Sequence, residues 1–146
     1  MLHSNCDEKN VDDTILVIAS QINHGIEFIL KNDDLCLPIV KLNMSAGKIA
    51  IDSCHHKTAY AYLEVASSLL PNDHWESHYD ISLRLSFMMA SAANSSCKYA
   101  DAVKILRRIL KEARCTEDKL PSYFLLSQSK CIVSCCFVVL TSSHFH

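Results

Sequence analysis

Residues 47–71 read GKIAIDSCHHKTAYAYLEVASSLLP, and residues 90–114 read ASAANSSCKYADAVKILRRILKEAR. Laid over each other at an offset of 43, Gly47 matches Ala90, Ala50 matches Ala93 and Ala59 matches Ala102. Leu63 then falls on Leu106, Ala66 on Ile109 and Pro71 on Arg114. Small residues twelve apart, one late in a first helix and one early in a second, let two antiparallel helices cross closely. A large apolar residue four positions further on fills the groove behind them. The spacing predicts two helix hairpins built on one plan. Gly47 has a specific place in it, because glycine inside a helix costs about 1 kcal/mol relative to alanine and a close helix contact is a reason to keep it.

The rest of the chain reads as helices on either side. Ile15, Ile18, Ile22, Ile26 and Ile29 recur at helical spacing from Asp13 to about Leu30. Leu35, Ile39, Leu42, Ala46 and Ile49 form the stripe of a second helix, with Pro38 in or near its first turn. A third runs from about His55 to Leu70 and stops at Pro71. Asn72 and Asp73 cap a long fourth, with Trp75, Tyr79, Leu83, Phe87 and Ala90 on its stripe. The fifth spans about Lys98 to Ala113, and a sixth starts at Thr116 with Glu117 and Asp118 in its first turn. Its end, Cys131–Leu140, is rich in β-branched residues and reads as helix or edge strand. Paired helices with short turns follow the logic of tetratricopeptide repeats, whose period is about 34 residues. Here about nine residues are added, over Asn72–Tyr79.

Composition narrows the function. Two glycines (Gly25, Gly47) and three prolines (Pro38, Pro71, Pro121) are too few turn-formers for a sandwich or barrel, which turns every ~8–12 residues. Two glycines also cannot spell a phosphate-cradling loop. Fourteen Lys and Arg against sixteen Asp and Glu leave a net charge of −2, with no electrostatic footprint for nucleic acid. The basic cluster Lys104, Arg107, Arg108, Lys111 and Arg114 is spaced as the solvated face of a helix. The opening MLHSNCDEKNVDD has neither the basic nor the apolar region of a secretory signal, so the eight cysteines are expected as reduced thiols in the cytoplasm. The apolar run Cys131–Leu140 is half of the ~20 residues a membrane helix needs, so no membrane contact is expected.

Several ordered strings add a resemblance. Leu42-Asn43-Met44-Ser45-Ala46-Gly47-Lys48-Ile49-Ala50 is followed by Ala59-Tyr60-Ala61-Tyr62-Leu63, then Leu69-Leu70, Trp75, Tyr79, Leu83, Leu85 and Tyr99-Ala100-Asp101-Ala102. In that order they resemble the tetratricopeptide-like helical repeat region of large predicted-ATPase signalling proteins. In those, a serine/threonine-kinase-like domain and a P-loop ATPase precede this region, and sensor and histidine-kinase domains often follow. Gln21-Ile22-Asn23-His24-Gly25 looks like that family's opening helix. The resemblance covers about Ile15 to Tyr123 and implies a scaffold in a signalling protein. No Walker lysine or kinase motif is present, so no enzymatic function carries over. Where the family usually has a glycine in the turn before the last matching helix, this chain has Ser95-Ser96-Cys97. Beyond Tyr123 the match thins, and the sequence reads as a fragment, a degenerate copy or a truncated gene product.

Chemistry-bearing clusters are weak. Cys54-His55-His56 and the group Cys131, Cys135, Cys136, His144 and His146 hold metal-ligand types without the two short-spaced pairs of a structural zinc site. His74-Trp75-Glu76 matches half of a zinc deaminase signature, but the PCxxC half is missing. Trp75 reads as a core anchor. Met44, Met88 and Met89 read as core filling. No catalytic, cofactor-binding or metal residue is expected.

The expectation is an all-α chain, its antiparallel helix hairpins stacked as a short tetratricopeptide-like right-handed solenoid of about six helices. Residues 1–12 form a disordered acidic leader, 13–122 the helical-repeat domain, and 123–146 a terminal helix or incomplete repeat with an irregular tail. The repeat positions are Gly47, Ala50, Ala59, Leu63, Ala66, Trp75, Ala90, Ala93, Tyr99, Ala102, Leu106 and Ile109. The function expected is a non-enzymatic scaffold for a protein or peptide, such as a neighbouring signalling domain, without nucleic acid, membrane or cofactor. Residues 120–140 are expected to self-associate through their apolar surface. The alternatives are a free-standing α-helical bundle binding a small ligand or ion, and a truncated remnant without independent function.

Overall fold

Gly25 and His78 each interrupt a stretch whose apolar period continues on both sides, so the helices outnumber the six expected. The computed structural model describes residues 2–29 and 33–142, with side chains described for 7–29 and 35–131. Among them every regular element is an α-helix, with no strand. The helices are α1 (Leu2–His24), α2 (Ile26–Ile29), α3 (Asp33–Asp52), α4 (His56–Ser68), α5 (His74–Ser77), α6 (Tyr79–Ser95), α7 (Tyr99–Glu112) and α8 (Thr116–Ser142). The expected first helix is parted at Gly25 into α1 and the single turn α2. The expected fourth is parted at His78, whose φ of −135° and ψ of 52° leave the helical region.

One further expectation is corrected and an open alternative is narrowed. Helix α1 begins at Leu2 and takes in the stretch expected as a disordered leader, which holds no glycine or proline to stop a helix. Helix α8 runs unbroken through the 122/123 boundary and through Cys131–Leu140, so that segment is helix rather than edge strand. The side chains after Cys131 lie outside the described residues. Pro38 and Pro121 each sit one turn into their helix, where each removes one backbone hydrogen bond. None of the described helices is long and apolar enough to cross a membrane.

The chain divides into two compact units, Met1–His78 and Tyr79–His146, and the division falls inside the span expected as one repeat domain. In the first unit α1 lies on α3, and α3 pairs with α4. Its core combines small residues, Ala19, Ala46, Gly47, Ala50, Ala59 and Ala66, with larger ones such as Ile39, Val40, Met44, Tyr60, Leu63, Leu69 and Trp75. In the second unit α6 pairs with α7, and α8 lies along α7 and touches α6. Ala90, Ala92, Ala93 and Ala102 are buried there with Leu85, Leu106 and Ile109. Full burial of a leucine such as Leu63 or Leu106 contributes about 1.5–3 kcal/mol.

The inward face of α3 keeps Ile39 and Ala46 of the expected stripe and is centred on the Gly47 and Ala50 side, leaving the other large residues of that stripe at its edge. Ile39, Val40, Asn43, Gly47 and Ala50 are buried, whereas Leu42 and Ile49 are half-buried and Leu35 is exposed. The small residues decide this. A face carrying Gly47 and Ala50 lets α4 approach more closely than one carrying Leu42 and Ile49.

Candidate functional site

Both hairpins turn in the same way, bond for bond. In the α3–α4 turn the His55 N–H donates to the Ala50 carbonyl at 2.8 Å, and the Cys54 N–H to the Ile51 carbonyl at 2.9 Å. In the α6–α7 turn the Lys98 N–H donates to Ala93 at 2.9 Å, and the Cys97 N–H to Asn94 at 3.2 Å. These are the paired bonds that close a helix with a left-handed residue. That residue is Cys54 at φ 60° and Cys97 at φ 62°, which are 43 apart like the repeat positions around them. The next helix then opens identically, Ala59 donating to His55 and Ala102 to Lys98. The turn cysteines are absent from the twelve expected repeat positions, yet carrying the offset into the turn lays Cys54 on Cys97. Both are exposed.

The crossing behind each turn uses the expected positions. A Cβ added to Gly47 would lie 2.7 Å from Leu63 Cδ2 and 2.8 Å from Cγ, so the helix backbone runs against that side chain. Ala50, Ala59, Leu63 and Ala66 are buried in the first hairpin, as are Ala90, Ala93, Ala102, Leu106 and Ile109 in the second. Trp75 is buried, and Tyr99 is half-buried with its hydroxyl 3.5 Å from Cys97 Sγ.

In the first unit a half-buried amide pair ties α1 to α3. The Asn23 amide donates to Asn43 Oδ1 at 2.7 Å, and the Asn43 amide donates back to Asn23 Oδ1 at 3.1 Å and to the Ile39 carbonyl at 3.1 Å. Asn43 is wholly buried. Its sequence signal is a polar side chain four residues from both Ile39 and Gly47. The Tyr62 hydroxyl reaches across from α4 to donate to the Leu16 carbonyl at 3.4 Å. Beside it, Ser20, Asn23 and His24 of α1 and Thr58, Ala61, Tyr62 and Val65 of α4 line an open groove of about 300 Å³. His24 Nδ1 is engaged with the Ser20 carbonyl at 2.7 Å. The groove thus sets hydroxyl, amide and imidazole groups beside apolar walls, the mixture that holds a peptide by its backbone and one or two side chains.

In the second unit Tyr79 joins the start of α6 to the start of α8. Its hydroxyl donates to Asp118 Oδ2 at 2.6 Å and accepts the Arg114 N–H at 2.9 Å. The Arg114 guanidinium lies 4.2 Å from the centre of the Tyr79 ring. The Tyr79 O–H and then the Cys115 thiol hold the Asp118 carboxyl below the usual range, with burial opposing them weakly. Burial, then the bond to Asp118, raises the Tyr79 hydroxyl. Nothing local marks this node, since Tyr79 is 35 and 39 residues from its partners. Deeper along α8, the Ser129 hydroxyl is tied to Asn94 Oδ1 at 2.7 Å and to the Leu125 carbonyl at 2.9 Å.

The opposite side of α8 is uncovered. Leu120 is 58%, Tyr123 54% and Phe124 66% exposed, three apolar side chains at helical spacing on one face. Lys104, Arg107, Arg108 and Lys111 of α7 are exposed, as the sequence suggests.

Cys54 and His55 are exposed at a turn, and among the described residues no three His, Cys, Asp or Glu side chains converge as metal ligands. Cys135, Cys136, His144 and His146 lie outside the described side chains. Among the described residues Cys36, Cys54, Cys97, Cys115 and Cys131 form no disulfide. His74-Trp75-Glu76 forms the single turn α5, with the His74 and Trp75 rings 5.7 Å apart. No family model, curated protein or solved structure matches this chain.

Proposed function

We propose that the chain is a non-enzymatic helical-repeat module of the cytoplasm, similar to the repeat arm beside the ATPase domain of the signalling proteins its sequence resembles. In this reading the hairpins α3–α4 and α6–α7 are successive repeats of a short right-handed solenoid, and the module works by presenting a groove between helices to a peptide or a neighbouring domain. The observation that carries it is the repetition itself: one turn, one pair of left-handed cysteines and one set of small crossing residues recur at an offset of 43. A bundle built once around a shared centre has no need of two hairpins with the same internal geometry.

Hydrogen exchange on the full chain carrying Gly47→Leu tests the architecture. In a solenoid each repeat has its own stability, so α3 and α4 lose amide protection while α7 keeps most of its own. Simultaneous loss from both hairpins would sink the repeat reading in favour of a bundle. Selection of displayed peptides against the full chain tests the groove. Selected peptides should bind at least ~10-fold more weakly to Tyr62→Ala. Peptides indifferent to that change would remove the groove from the proposal, and turnover of ATP by the purified chain would remove its non-enzymatic character.

A further inference from the structure

Helix α7 carries a second surface, made of charge. Lys104, Arg107, Arg108 and Lys111 follow one another in steps of three and four residues, so they share one face of the helix over about 10 Å. All four are exposed, and among the described residues none of them stands in an ion pair. A solvated helix face ordinarily alternates its signs, because like charges at these steps repel. A cation in the last turn is favoured by the helix dipole, which accounts for Lys111 but not for Lys104 or Arg107. Asp101 and Glu112 stand at one edge only, three residues before Lys104 and four after Arg108. The other edge, beside Arg107, holds Val103 and Leu110, both half-buried. The starts of α6 and α8 meet the end of α7 at Tyr79, whose hydroxyl engages Asp118 and whose ring lies under Arg114. The remaining charges there, Asp80 and Glu117 against Arg84 and Lys119, offset each other. The row on α7 is thus left uncompensated. Its unit repeats the imbalance: Tyr79–His146 carries nine Lys and Arg against five Asp and Glu, whereas Met1–His78 carries five against eleven.

We infer that this row is the docking site for an acidic peptide segment, whose short run of carboxylates lies along the Arg107 edge, away from Asp101 and Glu112. The two neighbouring guanidinium forks each suit a carboxylate through two parallel hydrogen bonds, and the lysines add compact charge at either end. A row of about 10 Å matches three or four residues of extended chain. Nucleic acid is a poorer fit. The row spans only about three phosphates of one strand, and no aromatic side chain stands among the cations to stack a base. The net charge of −2 also gives a long polyanion no general attraction to the chain. A lipid surface fits less well too, because none of the exposed large apolar side chains belongs to α7, and nothing inserts beside the charges. The inference goes beyond the repeat reading and does not depend on it, since the groove of that reading lies on α1 and α4.

Fluorescence anisotropy of a labelled tetraglutamate peptide, titrated with the full chain at ~50 mM salt, tests it. The peptide is expected to bind with a dissociation constant of about 10–300 μM and to weaken at least ~3-fold at ~150 mM salt. Arg107→Glu combined with Arg108→Glu is expected to weaken binding at least ~10-fold. Lys41→Glu combined with Lys57→Glu makes the same change of net charge on exposed lysines of the first unit, and should leave binding within about twofold. Circular dichroism checks that each variant is folded. If the arginine pair is not, Lys104→Gln with Lys111→Gln decides, with an expected loss of at least ~3-fold. No binding at up to ~1 mM chain overturns the proposal. So does an equal loss in the two reversed pairs, which would mean attraction to charge anywhere on the chain. Tighter binding of an oligothymidylate of the same charge through the two arginines overturns it and would assign the row to nucleic acid. Binding of phosphatidylserine vesicles through them, in place of the peptide, overturns it and would assign the row to lipid.

Discussion

The α-carbon of Gly47 faces Leu63 so closely that a single added carbon would lie 2.7 Å from Cδ2 and 2.8 Å from Cγ. Leu63 is wholly buried and has nowhere to swing. The contact holds α3 and α4 together along a seam of alanines and sets which face of α3 turns inward.

Gly47→Leu is accordingly expected to destabilise the chain by about 3 kcal/mol, at the upper end for overfilling a core. The exposed change Arg108→Leu should stay within about 0.5 kcal/mol of wild type. Adding Leu63→Ala to Gly47→Leu should recover part of the loss, although Leu63→Ala alone costs about 2–5 kcal/mol. Urea denaturation of the four chains measures this. Additive losses would mean that the two residues do not share one space.

Cys54 and Cys97 occupy a left-handed backbone region that costs a side-chain-bearing residue about 1–2 kcal/mol. Glycine adopts it freely but gives up more entropy on folding. Cys54→Gly and Cys97→Gly should each therefore stabilise the chain by up to ~1 kcal/mol, whereas Cys54→Ala and Cys97→Ala should not. Thermal midpoints of the four variants decide it, and equal shifts for glycine and alanine would point to the thiol rather than the backbone.

The Asn23–Asn43 pair should behave as one unit. Asn43→Ala strips Asn23 of its partner, and Asn23→Ala leaves the buried Asn43 Oδ1 without its donor, a loss of about 1–3 kcal/mol in each case. The double variant should cost clearly less than the sum of the two. A strictly additive double-mutant cycle would deny the pairing.

Asp118 makes the second unit sensitive to acid. A carboxyl held low in the folded chain stabilises it at every pH above the unfolded value, and that contribution fades as pH falls through the folded value. Wild type should lose stability relative to Asp118→Asn as pH drops below about 4, and the difference should be constant above about 5. Tyr79→Phe removes the strongest donor, so the Asp118 carboxyl should titrate closer to an ordinary aspartate when followed by NMR. An unchanged midpoint would show that the hydroxyl does not set it.

Much of this fold is legible residue by residue, and the boundary of legibility has a physical cause. Apolar period and scarce glycine and proline determine that the chain is helical, because both act within one or two turns of backbone. The offset of 43 locates both hairpins, because a close crossing leaves its small residues in the sequence. A stripe of large residues, by contrast, defines a helix face only to within one residue, or about 100° of rotation. Which residues of α3 turned inward was settled by α1 and α4 together, and they left Asn43 in the core, paired with Asn23, and Leu42 half-buried. His78 and Gly25 end helices at points where the apolar period does not change, so the described residues form eight helices in place of about six. The Tyr79 node joins groups 35 and 39 residues apart and has no local pattern at all. Local interactions are written in neighbouring residues, whereas the partner of a buried amide or a phenol is chosen only when distant helices meet.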